Sequence, residues 1–207
     1  MRVVIRSHTD KTLTDVTSSA TMLQWSGDKT SCARKLELTL AADTDRKITA
    51  NCSVMDIVYL YEGDKMLFAG KIWTRSKTTS ANAIEVTAFD DGYYLKKSSA
   101  YYKFSKKTPK QLVEQIAADY NIPLGAIADP QTPITRNYLG VGLYKIIMDA
   151  YTRASEETGV QYQIVFVGER LTITARGGQN ADYIISSDSN LESAVIKESA
   201  EDVISRV

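Results

Sequence analysis

Three consecutive segments between residues 53 and 91 have a period of two: the first, 54–62, is largely apolar on both faces, and the other two alternate between hydrophobic and polar residues. Successive side chains of a β-strand point to opposite faces, so this period predicts three strands. A turn containing Gly and Asp over 62–65 separates the first two segments and predicts a tight hairpin. The second segment places apolar residues on one face and Lys71, Trp73 and Arg75 on the other.

The same period of two appears in the part of the chain that precedes these segments. A short apolar run begins the chain, residues 21–25 form another candidate strand, and Leu36, Leu38 and Leu40 alternate with polar residues. Together these patterns predict five or six strands before residue 92. Short strands separated by turn residues at this spacing are typical of an antiparallel barrel or a β-sandwich.

A helix is predicted to begin at residue 109. Thr108 can cap a helix, Pro109 fits the first helical position, and Gln111 stands where a capping box requires it. Apolar residues then recur at helical spacing as far as residue 120.

A second helix and a β-hairpin are predicted after an irregular segment. Residues 122–141 contain three prolines and are expected to be irregular. Apolar residues then recur at helical spacing over 142–158 and alternate on both sides of a turn over 161–175. Strand-like patterns return over 182–186 and 191–207.

The composition is that of a folded globular protein. The 207 residues are 43% hydrophobic and 24% charged with zero formal net charge, which argues against disorder and against nucleic acid as a partner. No apolar run approaches the ~20 residues of a membrane-spanning helix. The N-terminal apolar run is also too short for a signal peptide, so a cytoplasmic location is the default. Cys32 and Cys52 are expected to be free thiols there.

Residues with catalytic or metal-binding chemistry are sparse. His8 is the only histidine, and no G-x-S-x-G elbow is present to supply a nucleophile. One His and two Cys match no metal-ligand spacing, and the acidic turn over 43–45 lacks the Gly and the distal Glu of a calcium loop. Gly140 and Gly142 precede a helix without the third Gly of a phosphate-binding loop. The sequence therefore predicts no enzyme activity, no cofactor and no metal.

Lysine and tyrosine are concentrated between Asp91 and Glu114, where no acidic residue occurs. Paired tyrosines lie among the lysines, which are Lys96, Lys97, Lys103, Lys106, Lys107 and Lys110. Lysines beside aromatic rings can bind single-stranded nucleic acid, but the chain is neutral overall and this cluster holds no arginine. The cluster therefore favours a solvated rim or a contact with an acidic protein partner.

Ordered blocks of residues along almost the whole chain resemble one family. The blocks are WSGD, ARKLELTL, DIVYLYEGDKMLFAGKIWTRSK, IEVTAFDDGYYLKKS, TPKQLVEQIAADYNIPLG, YKIIMDAYTRASEETG, and SDSN with ESAEDVISRV. In this order they resemble the XkdQ/YqbQ-like prophage tail proteins, which are related to the baseplate hub of contractile-tail phages and to late control protein D. The resemblance rests on the order of the blocks and not on one diagnostic motif.

The resemblance implies an α+β fold. In this fold an N-terminal antiparallel β-barrel is followed by an inserted α/β domain with two helices and a β-hairpin. The barrel is expected over residues 1–98 and the insertion over 99–195, with 196–207 returning toward the barrel. Family members continue into a second barrel, so the chain is expected to be a fragment of a longer protein.

The resemblance also implies a structural function in a contractile phage tail or tail-like particle. The expected role is that of a baseplate hub protein that joins the tail tube to the spike and forms a homotrimer when full length. The implied partners are other tail proteins of the tube, spike and baseplate. The implied location is the tail of the virion or phage-like particle, assembled in the bacterial cytoplasm. The candidate partner-binding residues are Lys71, Trp73, Arg75, Lys103, Lys106 and Lys107.

Two other function classes stay open. Residues 111–127 resemble the first helix of LysM peptidoglycan-binding domains, although the elements that follow are wrongly spaced for a complete LysM domain. Some hub and spike proteins carry hydrolase domains, so a tail-associated lysin is the second alternative. Glycoside hydrolysis requires two carboxylates that face each other across a groove, and the sequence selects no such pair.

Overall fold

Seven strands form one antiparallel sheet in the computed structural model, which describes residues 1–28, 31–42, 52–78, 82–177 and 186. In chain order, the strands are β1 (Arg2–Arg6), β2 (Leu13–Asp15), β3 (Ala20–Gly27), β4 (Arg34–Ala41), β5 (Ile57–Glu62), β6 (Lys65–Thr78) and β7 (Ala83–Phe89). Their order across the sheet is β2-β1-β5-β6-β7-β4-β3, and each neighbouring pair is antiparallel.

This sheet is open within the described residues, which corrects the expectation of a closed β-barrel. β2 and β3 lie at its two edges and do not pair with each other. A barrel closes only when its first and last strands meet at a defined stagger, and the alternation of apolar residues carries no information on that stagger. The predicted antiparallel β character of this part of the chain is confirmed.

One face of the sheet carries a hydrophobic core. The alternation predicted for β4 is confirmed, because Leu36, Leu38 and Leu40 are buried whereas the residues between them are partly exposed. Removing these side chains from water is the main driving force for the association of the strands. The other buried members of this core are Val3, Ile5, Val16, Ala42, Cys52, Val58, Leu60, Phe68, Ile72, Ile84, Val86 and Ala88.

Beyond β7, the described chain forms three helices and two further sheets. In chain order, the elements are α1 (Gly92–Lys97), β8 (Ser99–Lys107), α2 (Pro109–Tyr120), β9 (Leu124–Ile127), β10 (Ile134–Gly142), α3 (Leu143–Thr158), β11 (Tyr162–Val167) and β12 (Arg170–Ala175). β8 and β10 pair in an antiparallel ribbon. β11, β12 and β9 form the other sheet, in which β12 and β9 are parallel.

Both predicted helices and the predicted hairpin are present. Thr108 and Gln111 form the expected capping box. The Thr108 hydroxyl accepts a hydrogen bond from the Gln111 backbone N–H at 3.3 Å, and the Gln111 side chain accepts one from the Thr108 backbone N–H at 3.1 Å. Asn121 and Gly159 end α2 and α3 in the left-handed region, with φ of 53° and 72°. β11 and β12 form the hairpin predicted over 161–175.

The expectation of an irregular segment over 122–141 is wrong, because it contains β9 and most of β10. The strand β8 was also not predicted, since only Ala100 and Phe104 of its residues are buried and the others are mostly lysine, serine or tyrosine. β8 and β10 pair with each other and pack against α2 and α3 respectively, and β9 pairs with β12, so tertiary contacts make these segments strands. The strands predicted over 182–186 and 191–207 lie outside the described residues, apart from Ser186.

A second core lies among the elements that follow β7. Its centre is formed by the buried faces of α2 and α3, which contribute Leu112, Val113 and Ile116 from α2 and Ile146, Ile147 and Ala150 from α3. Cys32, from the connection between β3 and β4, also belongs to this core.

The chain divides into two compact units, Met1–Arg176 and Gly177–Val207, and the elements from β1 to β12 all lie within the first. The division into domains at residues 98 and 99 stays a prediction. The stretch 196–207, expected to return toward a barrel, lies outside the described residues.

The backbones of Gly92 and Cys32 touch where the sheet meets α1. A Cβ atom on Gly92 would lie 2.7 Å from the Cys32 carbonyl oxygen and 2.9 Å from Asp90 Oδ1. The Cys32 thiol donates to the Gly92 carbonyl oxygen at 3.4 Å, and the Asp90 N–H donates to the Arg34 carbonyl oxygen at 3.2 Å. These contacts hold the β3–β4 connection against the start of α1.

The tip of the β11–β12 hairpin contacts the outer face of the large sheet. The Tyr59 hydroxyl donates to Glu169 Oε1 at 3.0 Å, and Arg6 Nη2 lies 3.7 Å from the same oxygen. The Arg6 guanidinium also lies over the Tyr59 ring, 5.6 Å from its centroid. Burial and the neighbouring Glu169 raise the pKa of Tyr59 to about 12. This contact is a second connection between the large sheet and the elements that follow it.

Cys32 and Cys52 are both buried free thiols, as the sequence predicts. Burial raises the pKa of Cys32 to about 12 and also raises the pKa of Cys52. Separately, the helices in the described part of the chain include none that is long and apolar enough to cross a lipid bilayer.

We expect Gly92→Ala to lower the free energy of unfolding by about 1–3 kcal/mol, the usual cost of forcing extra volume into a packed site. The added methyl group would have to displace the Cys32 carbonyl group, which is backbone and cannot rotate away. Denaturant unfolding followed by tryptophan fluorescence measures the change.

Gly142→Ala is the matched control. A Cβ at Gly142 would meet nothing closer than the Ser98 carbonyl oxygen at 3.8 Å, and its φ of −58° suits any residue. Equal losses of stability in the two variants would contradict the importance of the contact between Gly92 and Cys32.

Candidate functional site

His8 follows β1 and hydrogen-bonds the buried carboxylate of Asp56. Its Nδ1 lies 2.8 Å from Asp56 Oδ1, which also accepts from the His8 backbone N–H at 2.9 Å. Asp56 Oδ2 accepts from the Ser53 N–H at 2.7 Å. The pair therefore holds the β1–β2 turn against the turn that precedes β5. Among the described residues, no group of three or more His, Cys, Asp and Glu side chains is arranged to hold a metal ion.

Four aromatic rings meet where β6 and β7 face α1, and we call them the aromatic junction: Trp73, Phe89, Tyr93 and Tyr94. The Tyr93 ring lies 4.6 Å from Trp73 and 4.5 Å from Phe89, measured between centroids, and it stacks on Phe89. The Trp73 and Tyr94 centroids are 5.3 Å apart. Aromatic pairs at these separations stabilise a fold beyond the area that they bury.

Two lysines contact the rings of the aromatic junction. Lys71 Nζ lies 4.7 Å from the Tyr94 centroid and donates to Asp91 Oδ1 at 2.7 Å. Lys97 Nζ lies 5.5 Å from the Tyr93 centroid. Lys71 therefore has both an anionic and an aromatic partner within its own chain.

A β-bulge in β6 explains the position of Trp73. The register of β6 against β7 shifts between Ile72 and Thr74, so Trp73 is the extra residue of the bulge. Its ring is half-buried against α1, and its indole Nε1 is buried with no hydrogen-bond partner among the described atoms.

The bulge corrects the prediction that Lys71, Trp73 and Arg75 share one face. Lys71 pairs with the half-buried Phe89, whereas Arg75 pairs with Val86, a core residue. Directly opposed residues of an antiparallel pair lie on the same face of the sheet. The extra residue of the bulge therefore moves Arg75 to the face that carries the core, at a position where Arg75 is still exposed. There its guanidinium partly offsets the rise in the pKa of Cys52 that burial causes.

The other predicted residues lie on the β8–β10 pair, which we call the lysine ribbon. Lys103 is exposed and pairs with Asn137 of β10. Lys106 is exposed, has a left-handed φ of 52°, and donates its backbone N–H to Thr135 Oγ1 at 3.0 Å. Lys107 is half-buried and donates through Nζ to Gln115 Oε1 at 2.6 Å.

The six predicted residues thus fall in separate places, and their partner-binding role stays a prediction. Trp73 belongs to the aromatic junction, Lys71 contacts one of its rings, and Lys107 is bound to α2. Arg75 lies near the end of β6. Of the lysines on the ribbon, Lys103 and Lys106 are exposed, and neither forms an ion pair among the described residues.

Two apolar residues of the ribbon are highly exposed: Tyr101, which the sequence indicated only as one of the tyrosines among the lysines, and Leu139, which was not predicted from the sequence. Tyr101 is 78% exposed and Leu139 is 77% exposed. They are close together, because Tyr102 pairs with Tyr138 and the Tyr101 hydroxyl would lie 3.4 Å from a Cβ on Gly140. Gly140 lies at the bulge of this strand, and a Gly inside a strand is a known signal of a bulge, but the sequence shows no strand pattern here that would have directed attention to Leu139.

β3 is an edge strand whose outer edge pairs with no strand among the described residues. Its eight residues, ATMLQWSG, include no charged residue and no proline. Met22 and Trp25 are both exposed. A groove of about 880 Å³ lies beside the end of this strand, with Trp25, Arg34, Met148 and Tyr162 in its wall.

Asp90 is a buried carboxylate at the start of α1. Only 2% of it is exposed, its Oδ1 accepts from the Gly92 N–H at 3.1 Å, and no described group donates to its Oδ2. Burial raises the pKa of Asp90 to about 7 despite the opposing hydrogen bonds to backbone. Asp90 is therefore a titratable group inside the contact between the large sheet and α1.

A comparison with protein families and curated proteins identifies relatives. A family model described as YQBQ-like matches residues 23–207. The chain is 25% identical over 183 residues to the phage-like element PBSX protein XkdQ of Bacillus subtilis, covering 87% of the chain and 56% of that protein. It is 26% identical over 174 residues to the uncharacterized protein YqbQ of the same species, covering 78% of the chain and 53% of YqbQ. The chain spans about half the length of these relatives.

Solved structures of prophage tail proteins have a similar fold. The 43 kDa tail protein of prophage MuSo2 from Shewanella oneidensis matches with a TM-score of 0.61 at 14% identity, over 84% of this chain and 52% of that one. The prophage tail protein gp18 from Listeria monocytogenes matches with a TM-score of 0.57 at 13% identity, over 93% of this chain and 56% of that one. At these identities the likeness is one of fold.

We expect the stability of the protein to fall as pH rises through the titration of Asp90. Its folded-state pKa of about 7 exceeds the ordinary value of 3.8, so between these values the folded state binds more protons than the unfolded state. The free energy of unfolding therefore decreases across this window. Asp90→Asn keeps an acceptor for the Gly92 N–H and removes the charge, so its stability relative to wild type should increase from pH 4 to pH 7.

Denaturant unfolding at a series of pH values measures this difference, and Asp64→Asn, in the exposed β5–β6 turn, controls for the loss of one carboxylate. Parallel pH profiles of wild type and Asp90→Asn would contradict the prediction.

Proposed function

Because the chain belongs to the YQBQ-like family, we propose that it is a structural component of the tail of a phage or phage-like particle. The name of XkdQ as a protein of a phage-like element supports this proposal. So do the solved prophage tail proteins that share the fold. The chain spans about half the length of these relatives, so it would supply part of the role of a complete protein.

The specific role that we propose is that of a baseplate hub protein, which joins the tail tube to the spike of a contractile tail. The full-length protein would be a homotrimer and would contact tube, spike and baseplate proteins. It would be assembled in the bacterial cytoplasm and reside in the tail of the particle. Its function would be to hold other proteins in place, without enzymatic activity or a cofactor.

The observation that carries this proposal is the outer edge of β3, which pairs with no strand in the described part of the chain. An edge strand presents unpaired backbone N–H and C=O groups, and soluble proteins usually block such edges with charged residues, proline or very short strands. β2, at the opposite edge, follows this rule with three residues that include Asp15. β3 has eight residues without charge or proline, although a bulge occurs near Ala20.

A strand from a neighbouring protein could therefore add to the sheet at β3. Backbone hydrogen bonds would set the direction and register of the added strand, and exposed side chains such as Met22 would contact its side chains. A rigid particle needs contacts that fix relative orientation, and strand addition supplies them without any reactive group. This geometry fits a protein whose function is to join others.

The alternatives from the sequence, a LysM-like peptidoglycan-binding module and a tail-associated lysin, predict different behaviour. A wall-binding module would sediment with purified cell wall, and a lysin would clear peptidoglycan in a zymogram. In the structure, α2 is followed by the strands β9 and β10 before α3. Sedimentation and zymography therefore separate these alternatives from a role in the tail.

We expect Met22→Lys and Gln24→Lys, as single variants, each to abolish incorporation of the full-length protein into particles while leaving its thermal stability unchanged. Both side chains are exposed, so the fold should tolerate lysine, whereas a charged edge resists the addition of another strand. Mass spectrometry of purified particles measures incorporation, and light scattering of the purified protein tests for the trimer.

Thr14→Lys places the same charge on β2 and is the matched control. Normal incorporation of the β3 variants would exclude β3 as the contact. Absence of the wild-type protein from particles, together with sedimentation on purified cell wall, would favour the wall-binding alternative.

A further inference from the structure

We propose that the outer face of the lysine ribbon docks an acidic protein of the same particle, and this inference rests on the proposed tail function. The docking patch consists of Tyr101, Leu139, Lys103 and Lys106. The partner would present an apolar side chain to Tyr101 and Leu139 and carboxylates to the two lysines.

The centre of the docking patch is apolar. The exposed fractions of Tyr101 and Leu139 are the highest among the large apolar residues of the described chain. Leu139 and Gly140 both stand opposite Tyr101 in the register of the ribbon, so the two exposed residues are adjacent across the pair of strands. Adjacent exposed apolar side chains of this size, bordered by polar residues, are typical of a protein interface.

The ribbon holds this patch in a fixed position. On the face packed against the helices, Tyr102 stacks on Phe104 with centroids 5.1 Å apart, and Tyr138 is buried. On the strand opposite, the register shifts between Tyr138 and Val141, and Gly140 has a left-handed φ of 65°. This bulge leaves Leu139 exposed next to Tyr101, and bulges commonly redirect side chains at functional surfaces.

The charge of the patch is positive and uncompensated within the described residues. The carboxylates that reach the ribbon contact other side chains, since Asp119 accepts from the Tyr102 hydroxyl at 2.6 Å and Asp149 accepts from the Tyr138 hydroxyl at 2.6 Å. Lys103 and Lys106 have no such acceptor there. An acidic partner would therefore complement this face without breaking an existing ion pair.

A protein fits this patch better than nucleic acid does. A base could stack on Tyr101, but it would gain little from Leu139, which has no π-system. Arg136, the arginine of β10, is held by Asp149 at 3.2 Å and does not extend toward the patch. An apolar centre with charged residues around it is the usual arrangement of a protein–protein interface.

The test uses particles that contain the full-length protein. A carbodiimide joins a lysine amine directly to a carboxylate, so cross-links from Lys103 or Lys106 identify acidic residues in contact with them. Acetylation of intact particles and of the purified protein measures whether each lysine is covered. Lys65, exposed at the start of β6, is the internal reference in both experiments.

Variants separate the apolar centre from the charged rim. Leu139→Ser and Lys103→Glu should each cause loss of the cross-links. Val54→Ser and Lys65→Glu make the same chemical changes at exposed positions outside the patch and should retain the cross-links. Equal thermal stability of all four variants excludes misfolding as the cause.

Cross-links from Lys103 or Lys106 to Asp or Glu of another tail protein, together with protection from acetylation, would support the docking patch. If the protein is present in particles but these lysines react as fast as Lys65, the docking patch is wrong and the tail function stands. If the protein is absent from particles, both proposals fail. If the purified protein binds labelled single-stranded DNA and Lys103→Glu removes that binding, the partner class is wrong.

Discussion

The contact between the Gly92 and Cys32 backbones is the constraint on which the described structure depends. Cys32 lies between two strands of the large sheet, yet its side chain is buried in the core of the elements that follow β7. A residue larger than glycine at position 92 would push these segments apart, because the obstacle is a carbonyl group. The contact also forces Asp90 into the interior, where burial raises its pKa to about 7. The connection between the two parts of the fold therefore contains a group that responds to pH.

The aromatic junction forms beside this contact and depends on the same turn of the chain. Asp90 and Asp91 are neighbours in sequence, but only Asp90 is fully buried. Asp91 forms an ion pair with Lys71, whose Nζ lies 2.7 Å from Asp91 Oδ1. The helix α1 then places Tyr93 and Tyr94 against Trp73. Half-buried ion pairs contribute little alone, so the rings supply most of the stabilisation here.

Features that depend on local sequence could be predicted, and features that depend on distant contacts could not. The capping box of Thr108 and Gln111 and the alternation in β4 are local, and both are confirmed. Whether the sheet closes depends on its first and last strands, and the face of Arg75 depends on a bulge set by pairing with β7. Lys103 and Lys106 could be selected from the sequence because of their charge. The exposure of Leu139 could not be predicted, because it depends on β10, a strand that forms through its tertiary contacts.

The two surfaces proposed for assembly, the β3 edge and the docking patch, would act by different physical means. Strand addition at β3 uses backbone groups, so it fixes geometry but selects weakly between partners. The attraction between two exposed charges is screened when they are farther apart than a Debye length, which is ~8 Å at physiological ionic strength. Lys103 and Lys106 can therefore select only between partners that already lie close to Tyr101 and Leu139. A protein that joins several others needs both properties. An edge sets the direction of the next subunit, and a charged, apolar patch determines which protein can lie beside it.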